Sequence, residues 1–475
     1  MINNKITGKL LFFLPKRIMV WLIKNNFTFI LALFYKAFII KRRKSKHKSS
    51  ISNSDKITIL ALNGNKFRGD LECLSQVDNL RILTLENMWQ TILIYAFTGK
   101  KVSTYEYVNA EAGSEIYLVK EKINIFFGGF ISALLKLIRI DCIITANYRY
   151  IEAYPWNYHF EKNGIPHICF YRESSPFSDR ARDSVTAFHR RYKGYPVSHV
   201  IVYNQYKKNI FLKSGFVTKS QISVCGALRM DNYIKLINSS YGNPIINNKE
   251  RRKRVILFYF PYNLYIFGQD KLSGNDILSD NAHKYSYVLN IWPKRMALFS
   301  DLHTSFVHLA KKHPEVDFVV KPKPKDMHEK TLWDIINETG IDLSKLKNYT
   351  VEPDADVHDL IINSDVIIAL NSTTVVEAAI AGKRVIFPLF YNYKETNNFN
   401  DFVWKNDLDL FDVAESAEEL KSLVLEGLKN PEISENVMDG RRELFKKCFS
   451  DVEGVALGRY MEIIRNVVNS AKNRI

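Results

Sequence analysis

Short apolar runs and longer helical stretches alternate along most of the chain. Lys56–Leu62, Leu80–Leu85, Asp141–Thr145, Ile165–Tyr171, Val200–Tyr203 and Gln221–Val224 are rich in β-branched residues and too short for helices, so they are predicted as buried strands. Between them, an apolar stretch running on towards residue 98, Lys122–Ile138, Trp156–Lys162, Arg182–Tyr192 and Gln205–Ser214 are predicted as helices. Strands alternating with helices predict a parallel, doubly wound sheet. Ser239–Arg254 contains Ser-Ser-Tyr-Gly-Asn-Pro and a charged run, and reads as a linker. A second alternation follows, with strands at 255–260, Val316–Val320, 349–352, Asp365–Leu370 and Val385–Phe387. Its helices are expected near 292–312, 328–337, 357–363, 375–381, 416–428 and 433–447, and a last helix near 453–472 is expected to cross back to the first domain.

The fold class expected is therefore α/β, with two Rossmann-like domains at 55–238 and 254–450. A helical segment at 1–50 precedes them, and a closing segment at 451–475 follows. A length of 475 residues with 46% hydrophobic and 25% charged residues suits a globular chain of two or three domains. No repeat at solenoid spacing is visible.

Charge changes the picture at one place. Twelve of the basic residues behind the net charge of +17 fall within residues 1–50, which hold no acidic residue. The apolar runs 10–23 and 27–40 there are interrupted by Pro, Lys or Arg, and neither reaches the ~20 residues of a bilayer span. No small-residue cleavage site follows, so a cleaved signal peptide is not expected. Bases interleaved with Leu, Phe, Ile and Trp predict two helices lying on an anionic membrane surface, followed by the basic run Lys41-Arg42-Arg43-Lys44, and argue against nucleic acid as partner. A single distorted span, or helices packed on the protein itself, are the alternatives. Ser45–Asp55 reads as a linker. Cys73, Cys142, Cys169, Cys225 and Cys448 are far apart, without zinc-ligand spacing, and are expected as buried reduced thiols.

Candidate chemistry concentrates in residues 316–390. Lys321-Pro322-Lys323-Pro324-Lys325 follows a strand, and its prolines hold an extended turn that suits a phosphate; a solvated basic loop is the alternative. Asn371-Ser372-Thr373-Thr374 lies between the next strand and a helix, where hydroxyls bind phosphate oxygens or simply cap the helix. Glu377 stands among Val375, Val376, Ala378 and Ala379, and an acid in such surroundings needs a partner: a ribose, a lysine or a backbone amide. Gly382 sits at a helix C-cap position. Asp354-Ala355-Asp356 precedes a predicted helix and reads as capping, so no metal is expected.

Together these residues resemble the donor domain of GT-B glycosyltransferases, nearest to the bacterial capsule-polysaccharide and glycerophosphotransferase-like enzymes. There a Lys/Arg-x-His-Pro turn precedes Ser-Asp-x-x-Ile-x-x-x-Ser-Ser/Thr-x-x-x-Glu-Ala-x-x-x-Gly-x-Pro-x-Ile. Here Lys321-Pro322-Lys323-Pro324 matches the first pattern; Ser364-Asp365, Ser372-Thr373, Glu377-Ala378, Gly382 and Val385-Ile386 match the second. Lys323 replaces the family's histidine and Arg384 its proline. The resemblance implies two domains facing across a cleft, no cofactor, Lys321, Lys323, Ser372, Thr373 and Thr374 on the donor phosphate, and Glu377 on its ribose. It implies an acceptor side in the first domain, where Gly226-Ala227-Leu228-Arg229-Met230-Asp231 looks like the family's Gly-x-x-Arg-x-Asp turn; a structural turn is the other reading.

The family's His-Gly near the acceptor is absent from Tyr171-Arg172-Glu173-Ser174-Ser175-Pro176. Glu173 is the candidate base, Asp179 the second, and a solvated loop acid the competing reading of each. Arg172, with the arginines at 180, 182, 190 and 191, suits an anionic acceptor or a solvated helix face, and Asn63 lies in another candidate cleft loop. His167 is expected in the core, His159 and His189 at the surface. The function implied is transfer from a nucleotide-sugar donor, with CMP-linked acidic sugars such as Kdo suiting the basic turn. The acceptor would be a lipid-linked surface polysaccharide at the cytoplasmic face of the bacterial inner membrane, and the enzyme peripheral or monotopic there. The alternatives are a CDP-glycerol or CDP-ribitol phosphotransferase, an isomerase like UDP-N-acetylglucosamine 2-epimerase, and a non-catalytic membrane-bound scaffold.

Overall fold

The computed structural model describes residues 17–43, 56–99, 102–173, 179–240, 251–258, 282–322, 329–370, 372–395, 399–400 and 402–473, with backbone alone at 179–181, 240, 282–296 and 329–331. The chain forms two compact units, 1–235 with 448–475, and 236–447.

The first unit holds a seven-stranded sheet. Its strands are β1 (Lys41–Arg42), β2 (Ile57–Leu62), β3 (Leu80–Leu85), β4 (Cys142–Thr145), β5 (His167–Phe170), β6 (His199–Val202) and β7 (Ile222–Val224), in the order β1-β3-β2-β4-β5-β6-β7. All pairings are parallel except β1 with β3. The helices are residues 17–24 (α1), Thr28–Phe34 (α2), Asp70–Leu74 (α3), Asn87–Thr98 (α4), Thr104–Val108 (α5), Glu115–Leu137 (α6), Tyr154–Lys162 (α7), Asp179–Arg190 (α8), Gln205–Ser214 (α9) and Met230–Ser240 (α10).

Successive strand residues point to opposite faces, and both faces of this sheet are covered. Leu60, Leu62, Ile143 and Cys169 pack with Leu31, Tyr35, Phe127, Phe130 and Trp156 of the helices on one face. Ile59, Ala61, Ile144 and Phe170 pack with Leu71 of α3 and with Tyr460, Met461 and Ile464 of the closing helix, Ala456–Lys472, on the other. Residues 17–43 are thus built into the unit: Met19, Leu22, Ile23, Leu31 and Tyr35 are core, and Tyr35 donates its hydroxyl to the Trp89 carbonyl at 2.7 Å. No helix among the described residues is long and apolar enough to cross a membrane.

The second unit holds a six-stranded parallel sheet of β8 (Arg254–Leu257), β9 (Asp317–Val320), β10 (Tyr349–Val351), β11 (Val366–Ile368), β12 (Arg384–Pro388) and β13 (Asp412–Ala414), ordered β10-β9-β8-β11-β12-β13. Its helices are α11 (Ala282–Lys312), α12 (Glu329–Glu338), α13 (Val357–Ile362), α14 (Thr374–Ile380), α15 (Ala417–Lys429) and α16 (Glu435–Phe449), the last two residues of which belong to the first unit. The fold class is therefore α/β with two Rossmann-like sheets.

Short elements account for most of what the sequence pattern missed: β1, β13, α3 and α5 are each five residues or fewer. All five cysteines are buried thiols outside any disulfide, as expected.

Two glycines are dictated by the backbone around residues 226–231. Gly226 has φ +84°, and a Cβ there would lie 2.8 Å from the Phe449 carbonyl oxygen. Gly454 has φ +72°, and a Cβ there would lie 2.8 Å from the Asp231 carbonyl oxygen. Only glycine meets both demands at either position.

Candidate active site

In the second unit, β11 delivers the chain to Ser372 and α14. The Ser372 N–H donates to the Leu370 carbonyl at 2.8 Å, turning the chain sharply. Ser372 Oγ then accepts from the Thr374 hydroxyl at 2.7 Å and from the Thr374 N–H at 3.3 Å. The hydroxyls of Ser372 and Thr374 therefore form one cluster, with Thr373 between them, and all three residues are half-buried. Asn371 lies outside the described residues. Gly382 has φ +68°, as its place after α14 requires.

Glu377 lies one turn into α14 and is only 4% exposed. Its Oε2 is 3.4 Å from His358 Nε2. His358 stands in the first turn of α13, where Asp356 caps the helix by accepting from the His358 N–H at 2.9 Å and the Asp359 N–H at 3.1 Å. The capping expected of Asp356 is present, and it positions the imidazole that meets Glu377. The sequence does not mark His358 as a site residue, and its one local signal is its place two residues after a capping acid.

Lys321 follows β9, but its ammonium donates to the carbonyls of Pro322 at 3.0 Å and Pro353 at 2.8 Å, and the residue is buried. It fastens the turn to the end of β10. Lys323 and Lys325 lie outside the described residues. Arg384, at the family's proline position, enters β12 and pairs with Asp412 at 2.9 Å. Beyond β12, Tyr391 and Asn392 have φ +61° and +53° in succession. Two consecutive left-handed non-glycine residues are uncommon and cluster at functional loops. The Trp404 indole N–H donates to the Leu370 carbonyl at 3.3 Å, closing the end of β11 from another side.

In the first unit, Arg172 and Arg229 come together on a residue the sequence did not single out. Asp70, at the start of α3, is buried; its Oδ2 is 3.4 Å from Arg172 Nε and its Oδ1 accepts from the Arg229 N–H at 3.0 Å. Burial pushes the Asp70 carboxyl above its ordinary value, against the pull of both arginines. Arg229 also donates to the Tyr203 hydroxyl at 2.7 Å and lies over the rings of Tyr203 and Phe449. Arg172 donates to the Lys66 carbonyl.

Asn63 follows β2 in the left-handed region (φ +59°), buried, its amide Nδ2 without a hydrogen-bond partner among the described residues. Glu173 is exposed, one residue after Arg172. Asp179 opens α8, with its side chain outside the described ones. Asp231 does other work: its carboxylate accepts from the Ala456 N–H at 3.1 Å and the Leu457 N–H at 2.7 Å, capping the closing helix.

The histidine expectations divide. His167 is core, its ring between Thr145 Oγ1 and the Pro196 carbonyl. His159 and His189 are buried too, correcting the surface placement. His189 stacks on Phe211 at 4.3 Å and its Nδ1 meets the Tyr148 hydroxyl; burial pushes its pKa down to about 3. His159 and His189 lie on the inward sides of α7 and α8, and a polar residue type gave no warning of it.

No protein-family model and no curated protein matches the chain. Among solved structures it is similar to a UDP-N-acetylglucosamine 2-epimerase described as putative, from Listeria monocytogenes, at 11% identity over 87% of this chain and 97% of that one, with a TM-score of 0.48. It is similar to a UDP-forming α,α-trehalose-phosphate synthase from Burkholderia vietnamiensis at 12% identity over 86% and 100%, TM-score 0.44. It is also similar to Anabaena HepE in complex with UDP and glucose, at 13% identity over 86% and 100%, TM-score 0.43. These are likenesses of fold alone, and at such values none bears on what this chain does.

Proposed function

We propose that the chain is a glycosyltransferase that takes its sugar from a nucleotide-sugar donor. The observation that carries this is Glu377: a buried carboxylate, held against His358, one turn from the Ser372–Thr374 hydroxyl cluster at the carboxyl end of β11. Ligands of open α/β sheets bind at that end of the strands. In this reading Ser372, Thr373, Thr374 and Lys323 hold donor phosphate, Glu377 accepts from the ribose hydroxyls, and Lys321 shapes the turn rather than touching the donor.

Glu173, with Asp179 as second candidate, accepts the proton of an acceptor hydroxyl as its oxygen bonds to the anomeric carbon. The nucleotide leaves with the electron pair of the broken bond. Arg172 and Arg229 give the acceptor side its positive charge. We assign the donor as a CMP-linked acidic sugar and the acceptor as a lipid-linked surface polysaccharide at the cytoplasmic face of the inner membrane.

Thermal unfolding with CMP, CDP and UDP compounds tests the donor half. A ligand at a hundred times its dissociation constant adds about 2.7 kcal/mol, a shift of several degrees. The expected result is a rise with a cytidine nucleotide that disappears in Glu377→Ala. No rise with any nucleotide overturns the reading. Glu173→Gln is expected to lose turnover while keeping the nucleotide shift, and retained turnover removes Glu173 as base. Acceptor-free conversion of UDP-N-acetylglucosamine would mark an epimerase instead, and glycerol-phosphate transfer from a CDP donor a phosphotransferase.

A further inference from the structure

We propose that the outward face of the α1–α2 hairpin, continued by one stripe of α6, is a docking surface for a bilayer containing anionic lipid, fixed rigidly to the first unit. It stands on the geometry of these helices and not on the transferase reading.

The inward faces of both helices are core, as Met19, Leu22, Leu31 and Tyr35 show. Their outward faces are apolar as well. On α1, Ile18 and Trp21 are 45% and 57% exposed; on α2, Phe29, Ile30 and Leu33 are 51%, 50% and 42% exposed; Phe38, just beyond, is 71% exposed. Single exposed apolar residues need no explanation, but a contiguous set does. Continuity is set by contacts: the Trp21 and Phe27 rings are 5.3 Å apart, joining the two helices, and a Cβ on Gly129 of α6 would lie 3.4 Å from the Thr28 side chain, placing α6 beside the start of α2. Leu118 and Ile125 lie eleven and four residues before Gly129 on the same side of α6, and are 55% and 74% exposed.

Charge selects the occupant. Exposed Arg17 and Lys24 share the Trp21 side of α1, and exposed Lys36 continues the Phe29–Leu33 side of α2. Arg42 is exposed at the sheet edge. Residues 17–43 contain no acid. Lys41 and Arg43 pair with Glu86 and Glu72, and beside its stripe α6 carries exposed Glu115 and Glu121 against Lys122, so the excess positive charge belongs to the hairpin alone. A second copy docked on this face would bring two such basic sets together, whereas anionic headgroups complement them while Trp and Phe enter the interface.

The test floats the full chain with vesicles of phosphatidylcholine mixed with phosphatidylglycerol, and of phosphatidylcholine alone. Binding to the mixed vesicles is expected, with a blue shift of Trp21 emission. Trp21→Ser/Phe29→Ser/Phe38→Ser should lose at least about tenfold in partitioning. Lys24→Gln and Lys36→Gln should each cost about fivefold at low salt, less at high salt. All five positions are exposed, so the variants should keep the thermal midpoint and any nucleotide shift of the parent. Equal binding to both compositions overturns the anionic-lipid assignment. Binding unaffected by the serine substitutions overturns the face. Self-association of the parent that the serine variant abolishes, without vesicle binding, overturns the bilayer as occupant. Vesicle binding and nucleotide stabilisation are separate readouts, so each reading fails independently.

Discussion

Lys207 lies fully buried in the first turn of α9, its ammonium 5.6 Å from the centre of the Tyr171 ring. Burial lowers its pKa to about 7, with Arg149 pushing the same way and Glu173 pulling it back up. Between that value and the ordinary lysine value of 10.5, the unfolded chain holds a proton that the folded chain does not, so stability rises with pH across this window. Below pH 7 both states are charged, and the folded state bears the whole penalty of a buried cation. Lys207→Met should therefore be more stable than the parent at pH 6. The gap should shrink as pH rises from 7 towards 10.5, by about 1.4 kcal/mol per pH unit. Urea unfolding at pH 6 and pH 9 checks this, and a gap independent of pH rules it out. The sequence offered no hint at this position, because Lys207 sits in a Gln-Tyr-Lys-Lys-Asn run that reads as solvent-facing. Ser372, Thr374 and Glu377 were legible because their relation is local: hydroxyls at a turn and a carboxylate one helical turn further on. His358, Asp70 and Tyr203 were not, since each meets its partner across a long stretch of chain.

Among elements, the closing helix shows how little of a helix's attachment its own residues record. Its amphipathic pattern predicts an apolar stripe, and Tyr460, Met461, Ile464 and Val468 supply it. What fixes its start is Asp231, more than two hundred residues earlier, which accepts from two of its first N–H groups. The Tyr460 hydroxyl answers by donating to the Gly226 carbonyl at 3.2 Å. The turn 226–231 is thus a clasp between distant segments, the structural reading of its Gly-x-x-Arg-x-Asp pattern, and Arg229 alone of its charged residues lies with Arg172. Asp231→Ala removes a buried cap and should cost about 1–2 kcal/mol by denaturant unfolding, without changing a nucleotide-induced shift. An unchanged midpoint would show that the cap is dispensable. The N-terminal hairpin carries the opposite lesson: its alternation of apolar and basic residues was visible, but which apolar residues face the core was decided by α6 and the sheet edge.

For the molecule as a whole, the chain crosses between units twice, and the second crossing returns residues 448–475 to the first unit. Loss of residues 451–475 uncovers Ile59, Ala61, Ile144 and Phe170 on one face of the seven-stranded sheet. Hydrogen exchange on a chain ending at residue 450 should show protection lost in β2, β4 and β5 and kept in β8, β9 and β11. Loss in both sheets alike would mean that the units do not unfold independently.

The sequence by itself determined the two parallel α/β units and the strand–turn–helix that holds Ser372 and Glu377. Period and composition act within a few residues, and a buried parallel strand must be apolar throughout. Tertiary structure alone decided which polar groups pair, that His159 and His189 are buried, that Lys321 serves its own turn, and which face of the N-terminal hairpin stays open. Burial and pairing depend on what arrives from elsewhere in the chain, and no local pattern carries that information.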